Sequence, residues 1–463
     1  MKQKTIKNSV AIAGVGIHTG VSTQIRLMPA KANSGIRFIR TDLANNPTID
    51  ANVDNVFSTE RSTDLKQGVA EIKTVEHLLA AVVGANIDNL IIEVDNIEIP
   101  ILDGSAKEFS DLIATAGITD LNANKIFFEI KRKISLTDKE TGTILTAIPA
   151  DEYQVEVEID YNSKVLGVQN ASLKSITDFK EEISSSRTFC FLHELETLLD
   201  NNLIKGGNLN NAIVVVEQKI EKEKLLKLAQ AFNKKDIKVT KGGTLNNLTL
   251  RHQNEPARHK LLDVVGDLSL LGRPIKGKIT ATKPGHKNNI KFAKYLKNIM
   301  IEEMKKTAPE IDFDEAPLYD KNKIKSILPH REPFLFLDEI REITDDSIIG
   351  VKYVTADEDY FKGHFPEEPV MPGVLQLETM AQAGGVLILN SVDNPEDYLT
   401  FFMKIDNAKF KKKVVPGDTL IFRLNLISPI RRGLCHMHGK GFVDGKVVVE
   451  GDLLAQIVPK NKI

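Results

Sequence analysis

The feature that most constrains this chain is an apolar stretch near its C-terminal end, from Gly373 to Leu389. Apolar or small residues occupy nearly every face that this stretch would present as a helix, which predicts a helix buried on all sides. We therefore expect a sheet that wraps around a central helix. Two polar groups interrupt the apolar setting: His364 in the preceding proline-rich loop and Glu378 in the helix. A buried carboxylate is costly unless it is paired or used in chemistry, so Glu378 in particular is a candidate functional residue.

A charged segment with little periodicity, from Lys305 to Lys323, precedes this region and carries two prolines. Such a composition is typical of an interdomain linker. In the residues before it, short β-rich runs alternate with helical patterns without a regular βαβ period, which indicates the α+β class. We expect helices over 74–83 and 257–271, and a strand pair over 89–105. No internal repeat is recognisable in the sequence.

The charge balance argues against a nucleic-acid partner, because the formal net charge is -2 and a phosphate backbone calls for a strongly basic domain. No run of about 18 apolar residues occurs, so no membrane span is expected. Two cysteines, Cys190 and Cys435, do not make a disulfide framework, and the N-terminus lacks a secretory pattern; we therefore predict a cytoplasmic protein. The basic run 411–413 is either a solvated edge of the domain or a surface that attracts an acidic carrier protein.

Candidate metal ligands lie in the two predicted helices of the first half. His259 and Asp263 are four residues apart, which places an imidazole and a carboxylate on one helical face. Together with His77 they offer two nitrogens and one oxygen and leave a coordination position open for water, as in catalytic zinc sites. Glu76, adjacent to His77, would accept a proton from that water.

Two further residues would complete a hydrolytic site: His286 as a general acid, and Asp267 as a carboxylate that holds a histidine in position. Spacing alone leaves two alternatives open. The histidines can be core residues and the carboxylates helix-surface charges, or two histidines and one carboxylate can form the facial triad of a non-haem iron oxygenase. The adjacent Glu76 favours hydrolysis, because an oxygenase does not need a base at that position.

Nearly all of residues 1–305 resemble the LpxC family, the UDP-3-O-acyl-N-acetylglucosamine deacetylases of lipid A synthesis. The motifs that carry the resemblance, in the order and spacing of the family, are GVGIHTG, TVEHLLAA, NIDN, PILDGSA, SRTFCF, RHKLLDVVGDL and KPGHKNN. The resemblance implies one zinc ion, with iron(II) as the alternative metal in cells, held by His77, His259 and Asp263. It also implies two related β-α-α-β sandwich layers with the site between them.

The same resemblance assigns roles to the remaining candidates. Glu76 would be the general base, and His286 would protonate the leaving amine with support from Asp267. Thr188 would help to stabilise the oxyanion, and Lys260 would lie near the sugar or phosphate groups of the substrate. The substrate is then a UDP-sugar lipid precursor with an acyl chain.

From about Ile324 to the C-terminus the chain is similar to the FabZ family, the hot-dog-fold dehydratases that act on 3-hydroxyacyl-acyl-carrier-protein. The motifs are LPHREPFLFLD, GHFPEEPVMPGVLQLETMAQ, KIDNAKFKKKVVPGD and DGKVVVEGD. The resemblance implies that His364 removes the proton α to the thioester carbonyl and that Glu378 protonates the departing hydroxyl. It further implies that Glu378 is contributed by a partner subunit, so we expect a homodimer through the hot-dog domain, assembled into a hexamer.

We therefore predict deacetylase domains at 1–130 and 131–305, a linker at 306–322 and a hot-dog dehydratase domain at 323–463. The chain would be a bifunctional enzyme. It would deacetylate UDP-3-O-(3-hydroxyacyl)-N-acetylglucosamine with zinc and dehydrate (3R)-3-hydroxyacyl-acyl-carrier-protein to the trans-2-enoyl product. Two alternatives stay open: one half is inactive and serves as an acyl-binding scaffold, or the hot-dog half is a thioesterase.

Overall fold

The computed structural model describes the whole chain except residues 196–204, 207, 208, 210, 219, 232–236, 247, 305, 306, 391, 393, 429, 431, 432 and 461–463. The chain divides into two compact units, Met1–Ile299 and Met300–Ile463, which we call unit 1 and unit 2. The helices within the described residues are α1 (Glu76–Gly84), α2 (Lys107–Ala116), α3 (Phe179–Glu182), α4 (Lys222–Ala231), α5 (Glu255–Ser269), α6 (His286–Met304), α7 (Lys321–Ile327) and α8 (Gly373–Leu389). Over the described ranges, none of them is both long and apolar enough to cross a membrane.

Unit 1 is built on two five-stranded sheets. Its strands are β1 (Lys2–Ile6), β2 (Val10–Val15), β3 (Ser22–Pro29), β4 (Ile36–Arg40), β5 (Thr48–Asp50), β6 (Val56–Ser58), β7 (Asp64–Gln67), β8 (Ala70–Ile72), β9 (Leu90–Val94), β10 (Ile118–Asn124), β11 (Phe128–Glu129), β12 (Ile134–Asp138), β13 (Thr143–Ile148), β14 (Gln154–Asp160), β15 (Val168–Leu173), β16 (Phe189–Phe191), β17 (Ile213–Val215), β18 (Ile275–Lys276) and β19 (Lys278–Thr282). The order is β2-β3-β9-β4-β5 in the first sheet and β12-β13-β19-β14-β15 in the second.

The two sheets share one topology, although no repeat is recognisable in the sequence. In each sheet the first three neighbours pair antiparallel, the third and fourth pair parallel, and the last two pair antiparallel. A helix precedes the central strand in each half, α1 before β9 and α5 before β19, and another follows it. This architecture agrees with the α+β prediction and with the expected pair of related layers. The chain passes from the first half to the second between β10, which pairs with β1, and β11, which pairs with β18.

The two helices that carry the candidate site pack directly against each other. α1 and α5 are in direct contact, and most residues of both helices are buried. Gly266 makes this approach feasible, because a Cβ at its position would lie 2.1 Å from the carbonyl oxygen of Glu76. The packing of these two helices therefore brings together residues that are far apart in the sequence.

The local predictions are confirmed for the helices and only partly for the strands. Helices form where the periodicity placed them, as α1 and α5, with ends that differ by about two residues. The predicted strand pair over 89–105 is wrong in its second member: β9 forms, but residues 97–101 make only an isolated bridge between Glu98 and Lys73. The physical reason is that the Glu98 side chain is turned inward and accepts hydrogen bonds from the loop that contains His18 and Thr19.

Unit 2 is an antiparallel sheet wrapped around α8. Its strands are β20 (Glu339–Ile343), β21 (Ser347–Tyr353), β22 (Tyr398–Phe410), β23 (Thr419–Leu426), β24 (Leu434–Val443) and β25 (Lys446–Pro459), in the order β20-β21-β23-β24-β25-β22. Met380, Ala383 and Val386 of α8 share one core with Phe422 and Leu424 of the sheet. The predicted hot-dog arrangement is thus present, and its cause is the apolar character of α8 on every face.

The segment predicted as a linker, 306–322, does not only connect the two units, because its later residues pack within unit 2. Its first residue, 306, lies outside the described part of the chain. Arg341 of β20 donates a hydrogen bond to the backbone carbonyl of Glu315 at 2.7 Å, and its guanidinium lies 5.0 Å from the ring centroid of Phe313. Tyr319 forms a bridge with Ile340, and α7 begins at Lys321. Residues 313–321 therefore pack as part of unit 2.

Candidate active sites

The first candidate site lies where α1 and α5 meet. His77 is the second residue of α1, and His259 and Asp263 are one turn apart on α5. The Nε2 atoms of His77 and His259 lie 3.8 Å and 3.5 Å from Oδ1 of Asp263. These distances are too long for hydrogen bonds and suit ligands that share one ion. The three residues are the one group of potential metal ligands of this kind within the described residues.

The chemistry of this cluster fits a divalent metal ion. Oδ1 of Asp263 and Nδ1 of His77 are buried and have no hydrogen-bond partner in the described part of the chain, and an unpaired buried carboxylate oxygen is costly. Nδ1 of His259 lies 3.0 Å from the carbonyl oxygen of Ser186. Because a carbonyl only accepts, Nδ1 carries the proton and Nε2 presents its lone pair toward Asp263.

The electrostatics of the three residues favour the forms that bind metals. Burial lowers the pKa of His77 to about 3 and lowers the pKa of His259 as well. Both imidazoles are therefore neutral at neutral pH. Burial alone would raise the pKa of Asp263, but the positive charges of Lys260 and His286 hold it well below its usual value. The cluster thus presents two neutral nitrogens and one carboxylate.

Glu76 and His286 stand beside this cluster with opposite protonation tendencies. Burial raises the pKa of Glu76 to about 8; His286 opposes the rise, while Asp267 and Asp263 add to it. For His286, burial would lower the pKa, but the carboxylates of Asp267 and Asp263 outweigh it and raise the pKa to about 9. Nδ1 of His286 lies 3.0 Å from Oδ2 of Asp267. A carboxyl group near its titration point and a protonated imidazole are suited to general base and general acid.

Thr188 and Lys260 lie on the wall of the same site. Thr188 is half-buried and follows Ser186 by two residues, while Phe189, directly after it, makes an edge contact with the ring of His259. The ammonium of Lys260 donates to Oδ2 of Asp263 at 2.8 Å and lies 5.7 Å from the ring centroid of Phe189. All eight residues predicted for this site are therefore in one region of unit 1.

Three residues of this site were missed by the sequence analysis. Thr63 donates from its hydroxyl to Oδ1 of Asp267 at 2.5 Å and from its backbone N–H to Oε2 of Glu76 at 3.0 Å. Asn289 donates to Oδ2 of Asp267 at 2.8 Å. The buried carboxylate of Glu98 accepts from Thr74, two residues before Glu76, at 3.0 Å. Asn289 lies within the motif KPGHKNN and Glu98 within the predicted strand pair over 89–105, whereas Thr63 lies in no segment singled out above.

The second candidate site is at the N-terminal end of α8 in unit 2. Nδ1 of His364 lies 2.6 Å from the carbonyl oxygen of Val370. Nδ1 must carry the proton in this contact, so Nε2 is left as the basic nitrogen. The next residue, Phe365, has a φ of 56° and its side chain is 61% exposed. Such a backbone conformation is uncommon for an aromatic residue and marks this loop as constrained.

Glu378 lies one turn into α8 and is held by two polar neighbours. Nε2 of Gln382, one turn further along, donates to Oε1 of Glu378 at 3.0 Å, and Nε2 of His330 lies 3.5 Å from the same oxygen. The Gln382 side-chain oxygen accepts from the backbone N–H groups of Phe336 and Leu337. Residues four apart on a helix lie on the same face, so the spacing of Glu378 and Gln382 could have predicted their contact.

His364 and Glu378 have separate hydrogen-bonding partners. In the described residues no hydrogen bond or ion pair joins the two side chains: His364 contacts the carbonyl of Val370, and Glu378 contacts Gln382 and His330. The side chain of Glu378 is 18% exposed, whereas the apolar sequence of its helix predicted a buried carboxylate.

Comparison with known families assigns the two units separately. Residues 3–237 and 228–298 match LpxC, described as UDP-3-O-acyl N-acetylglycosamine deacetylase, and residues 328–452 match the FabA-like domain. The chain is 48% identical over 463 residues to a bifunctional enzyme LpxC/FabZ of Bacteroides thetaiotaomicron, with full coverage of both chains. The enzymes of the same description from Porphyromonas gingivalis and Chlorobaculum tepidum are 45% and 39% identical over 461 and 465 residues, each match covering at least 99% of both chains. The chain therefore belongs to the family of bifunctional LpxC/FabZ enzymes, with an LpxC deacetylase in its first half and a FabA-like dehydratase domain in its second.

Proposed function

We propose that unit 1 hydrolyses the acetamide of UDP-3-O-(3-hydroxyacyl)-N-acetylglucosamine with one zinc ion, held by His77, His259 and Asp263. The observation that carries this proposal is the convergence of the two Nε2 atoms on Oδ1 of Asp263, which has no other partner in the described residues. When bound, zinc would supply Lewis acidity, polarising the acetamide carbonyl and making water acidic near neutral pH. Iron(II) has ligand preferences that overlap with these and is the alternative metal.

The protein side chains would move the protons. One oxygen of Glu76 is occupied by the N–H of Thr63, and the other would accept a proton from the attacking water as it adds to the carbonyl carbon. The Thr188 hydroxyl would donate a hydrogen bond to the developing oxyanion. His286, positively charged beside Asp267, would then protonate the nitrogen as its bond to the carbonyl carbon breaks, releasing acetate and the free amine. Lys260 would contact the sugar or phosphate part of the substrate.

We propose that unit 2 converts (3R)-3-hydroxyacyl-acyl-carrier-protein to the trans-2-enoyl thioester. Nε2 of His364 would take the proton at the carbon α to the thioester, and Glu378 would protonate the departing β-hydroxyl. The first N–H groups of α8, beginning at Gly373, have no acceptor inside the helix and would stabilise the negative charge on the thioester oxygen. The product then carries a double bond, and water leaves.

We further propose that Glu378 is supplied by a second copy of the chain. Two observations support this: no hydrogen bond or ion pair joins His364 and Glu378 within the described residues of one chain, and the outer edge of the sheet is apolar. The edge strand β22 exposes a row of large apolar side chains, Phe401, Phe402, Met403, Ile405 and Phe410. An exposed apolar edge strand is a template for pairing with another chain. Three such dimers would form the hexamer expected from the resemblance to FabZ.

A paired assay on one preparation of the intact protein tests the two-site proposal. His77→Ala should abolish deacetylation, lower the bound metal per chain and leave dehydration intact, whereas His364→Ala should do the reverse. Either variant silencing both activities, or neither, would overturn it. The dehydration assay follows enoyl product and free carrier thiol together, so release of thiol alone would instead identify a thioesterase. Family membership does not favour that alternative or an inactive half.

Co-expression of two inactive variants tests the shared dehydratase site. If His364 and Glu378 act from different subunits, a mixed dimer of His364→Ala and Glu378→Gln chains holds one intact site. Random assembly should then restore about a quarter of the wild-type rate, because half of the dimers are mixed and each has one working site of two. No restored activity, with mixed dimers verified by affinity tags, would place both residues of a working site in one subunit.

We also propose a cytoplasmic location, supported by the unpaired thiols of Cys190 and Cys435.

A further inference from the structure

We infer that Thr63 is a positioning residue of the deacetylase, and that its hydroxyl sets the orientation of Asp267 and, through it, of His286. The inference rests on the proposed function, in which His286 donates a proton to the leaving nitrogen. Thr63 lies between β6 and β7 and is fully buried. It is 204 residues from Asp267 in the sequence, yet the two side chains are in direct contact.

The carboxylate of Asp267 is held entirely by side chains. It is fully buried, and its two oxygens have different partners among the described residues. Oδ1 accepts from the Thr63 hydroxyl at 2.5 Å, while Oδ2 accepts from His286 at 3.0 Å and from Asn289 at 2.8 Å. A buried carboxylate that loses one of its donors retains an unsatisfied oxygen, and turning about its last bond becomes the way to satisfy it. Such a turn would move Oδ2 away from Nδ1 of His286.

The hydroxyl of Thr63 also lies 3.4 Å from Nδ1 of His286 itself. The threonine is thus in contact with both members of the pair, through Oδ1 of the carboxylate, whereas Asn289 contacts Oδ2. Because the hydroxyl donates its hydrogen to Asp267, its oxygen can accept a weaker share of the Nδ1–H that His286 donates to Oδ2. Thr63 therefore fixes the direction in which the imidazole presents its other nitrogen, Nε2, toward the substrate.

The backbone of Thr63 makes separate contacts that a side-chain substitution leaves in place. Its N–H donates to Oε2 of Glu76 at 3.0 Å, and its carbonyl accepts from the N–H of Val75 at 3.2 Å. These contacts tie the loop to the first turn of α1, where Glu76 and His77 begin the helix. Replacing the hydroxyl by a methyl group, as in Thr63→Val, therefore removes the contact to Asp267 and retains the backbone contact to Glu76.

The test compares Thr63→Val with Thr63→Ser in the full-length protein. Thr63→Val should lower kcat of deacetylation by about 10-fold or more, with KM within about twofold, because the substrate-binding groups are not touched. Thr63→Ser, which restores the hydroxyl, should recover most of kcat. Metal content per chain and dehydratase activity should be those of the wild type in both variants. A matched control is Thr23→Val, since Thr23 is equally buried but lies in β3; it should leave kcat unchanged.

The outcomes separate this inference from the proposed function. Asp267→Ala, measured beside the other variants, tests the function: wild-type kcat in this variant would overturn both the role of Asp267 and the inference. If Asp267→Ala is impaired but Thr63→Val retains wild-type kcat, the function stands and the inference is wrong. The inference also fails if Thr63→Ser is as slow as Thr63→Val, or if Thr63→Val loses metal or raises KM instead of lowering kcat.

Discussion

The backbone of Gly266 in α5 faces the carbonyl oxygen of Glu76 in α1, and a Cβ added at Gly266 would lie 2.1 Å from that oxygen. The contact sets the separation of the two helices that carry the predicted metal ligands. Gly266→Ala should therefore push α1 away from α5 and displace His77 relative to His259 and Asp263. We expect deacetylation to fall roughly 100-fold, as for a misplacement of about 1 Å in a catalytic site.

The measurement is deacetylase kcat together with bound metal per chain, and both should fall in Gly266→Ala while dehydration is retained. Gly242→Ala is the matched control, because Gly242 is exposed and a Cβ there would make only an ordinary contact at 3.8 Å. Wild-type metal content and kcat in Gly266→Ala would show that the close approach of the helices does not govern the site.

The pair His286 and Asp267 predicts the alkaline side of the pH profile of deacetylation. The carboxylate of Asp267 is the main group that holds the pKa of His286 up, at about 9, against the effect of burial. A general acid works only while protonated, so activity should decline as the pH rises through the pKa of His286. Asp267→Asn removes the negative charge, lowers that pKa and should move the alkaline decline downward by about 1 to 3 pH units.

The pH dependence of kcat/KM for the wild type and for Asp267→Asn provides the check. Asp64→Asn is a suitable comparison, since Asp64 is also a buried carboxylate of unit 1 but accepts hydrogen bonds from Ser62 and Thr74. An alkaline limb that stays in place in Asp267→Asn would show that His286 does not control it.

In unit 2, the hydrogen bond from Gln382 to Glu378 predicts a loss confined to dehydration. Gln382→Leu removes a donor to a carboxylate, a contact worth about 1.5 to 3 kcal/mol. We therefore expect kcat of dehydration to fall about 10-fold or more, with deacetylation unchanged. Gln376→Leu is the control: Gln376 is equally buried in α8 but donates to the carbonyl of Met371 at 3.2 Å. Equal losses of dehydration in the two variants would show that the effect comes from the packing of α8 and not from the hydrogen bond to Glu378.

Arg187 and Glu255 form a buried ion pair that predicts a large effect on the stability of unit 1. Their side chains are 5% and 0% exposed, and Nε of Arg187 lies 2.9 Å from Oε1 of Glu255. Arg187→Ala leaves the carboxylate buried without its charged partner, which should lower the free energy of unfolding of unit 1 by about 3 to 5 kcal/mol.

The control for this prediction is an exposed pair in the same unit. Lys107 and Asp111 are 50% and 44% exposed, so Lys107→Ala should cost less than about 1 kcal/mol. Urea denaturation, with hydrogen exchange of unit 1 peptides to localise the transition, measures both values. Similar costs for Arg187→Ala and Lys107→Ala would show that burial of the ion pair adds nothing.

The residues predicted for the metal cluster illustrate what local patterns can identify. The spacing of His259 and Asp263 identified one helical face, and residue chemistry added His77, Glu76, His286 and Asp267 as candidates. The family motifs then added Thr188 and Lys260. Thr63 was not foreseeable, because it lies in a short loop without periodicity and its hydroxyl acts on a residue 204 positions away. Gln382 was foreseeable from helical spacing, but its second contact, to the backbone of the segment after Pro333, depends on the fold.

The sequence by itself determined the two-part organisation, the burial of α8 and the residue types of the candidate metal cluster. Each of these features depends on side-chain chemistry and on hydrophobic periodicity within one segment, and both can be determined from the local sequence. Only the tertiary structure decided that the two sheets of unit 1 share one topology, that Gly266 lies so close to Glu76, and that Thr63 contacts Asp267. These relationships depend on packing between distant segments, where volume and hydrogen-bond geometry select the partner and no local pattern records it.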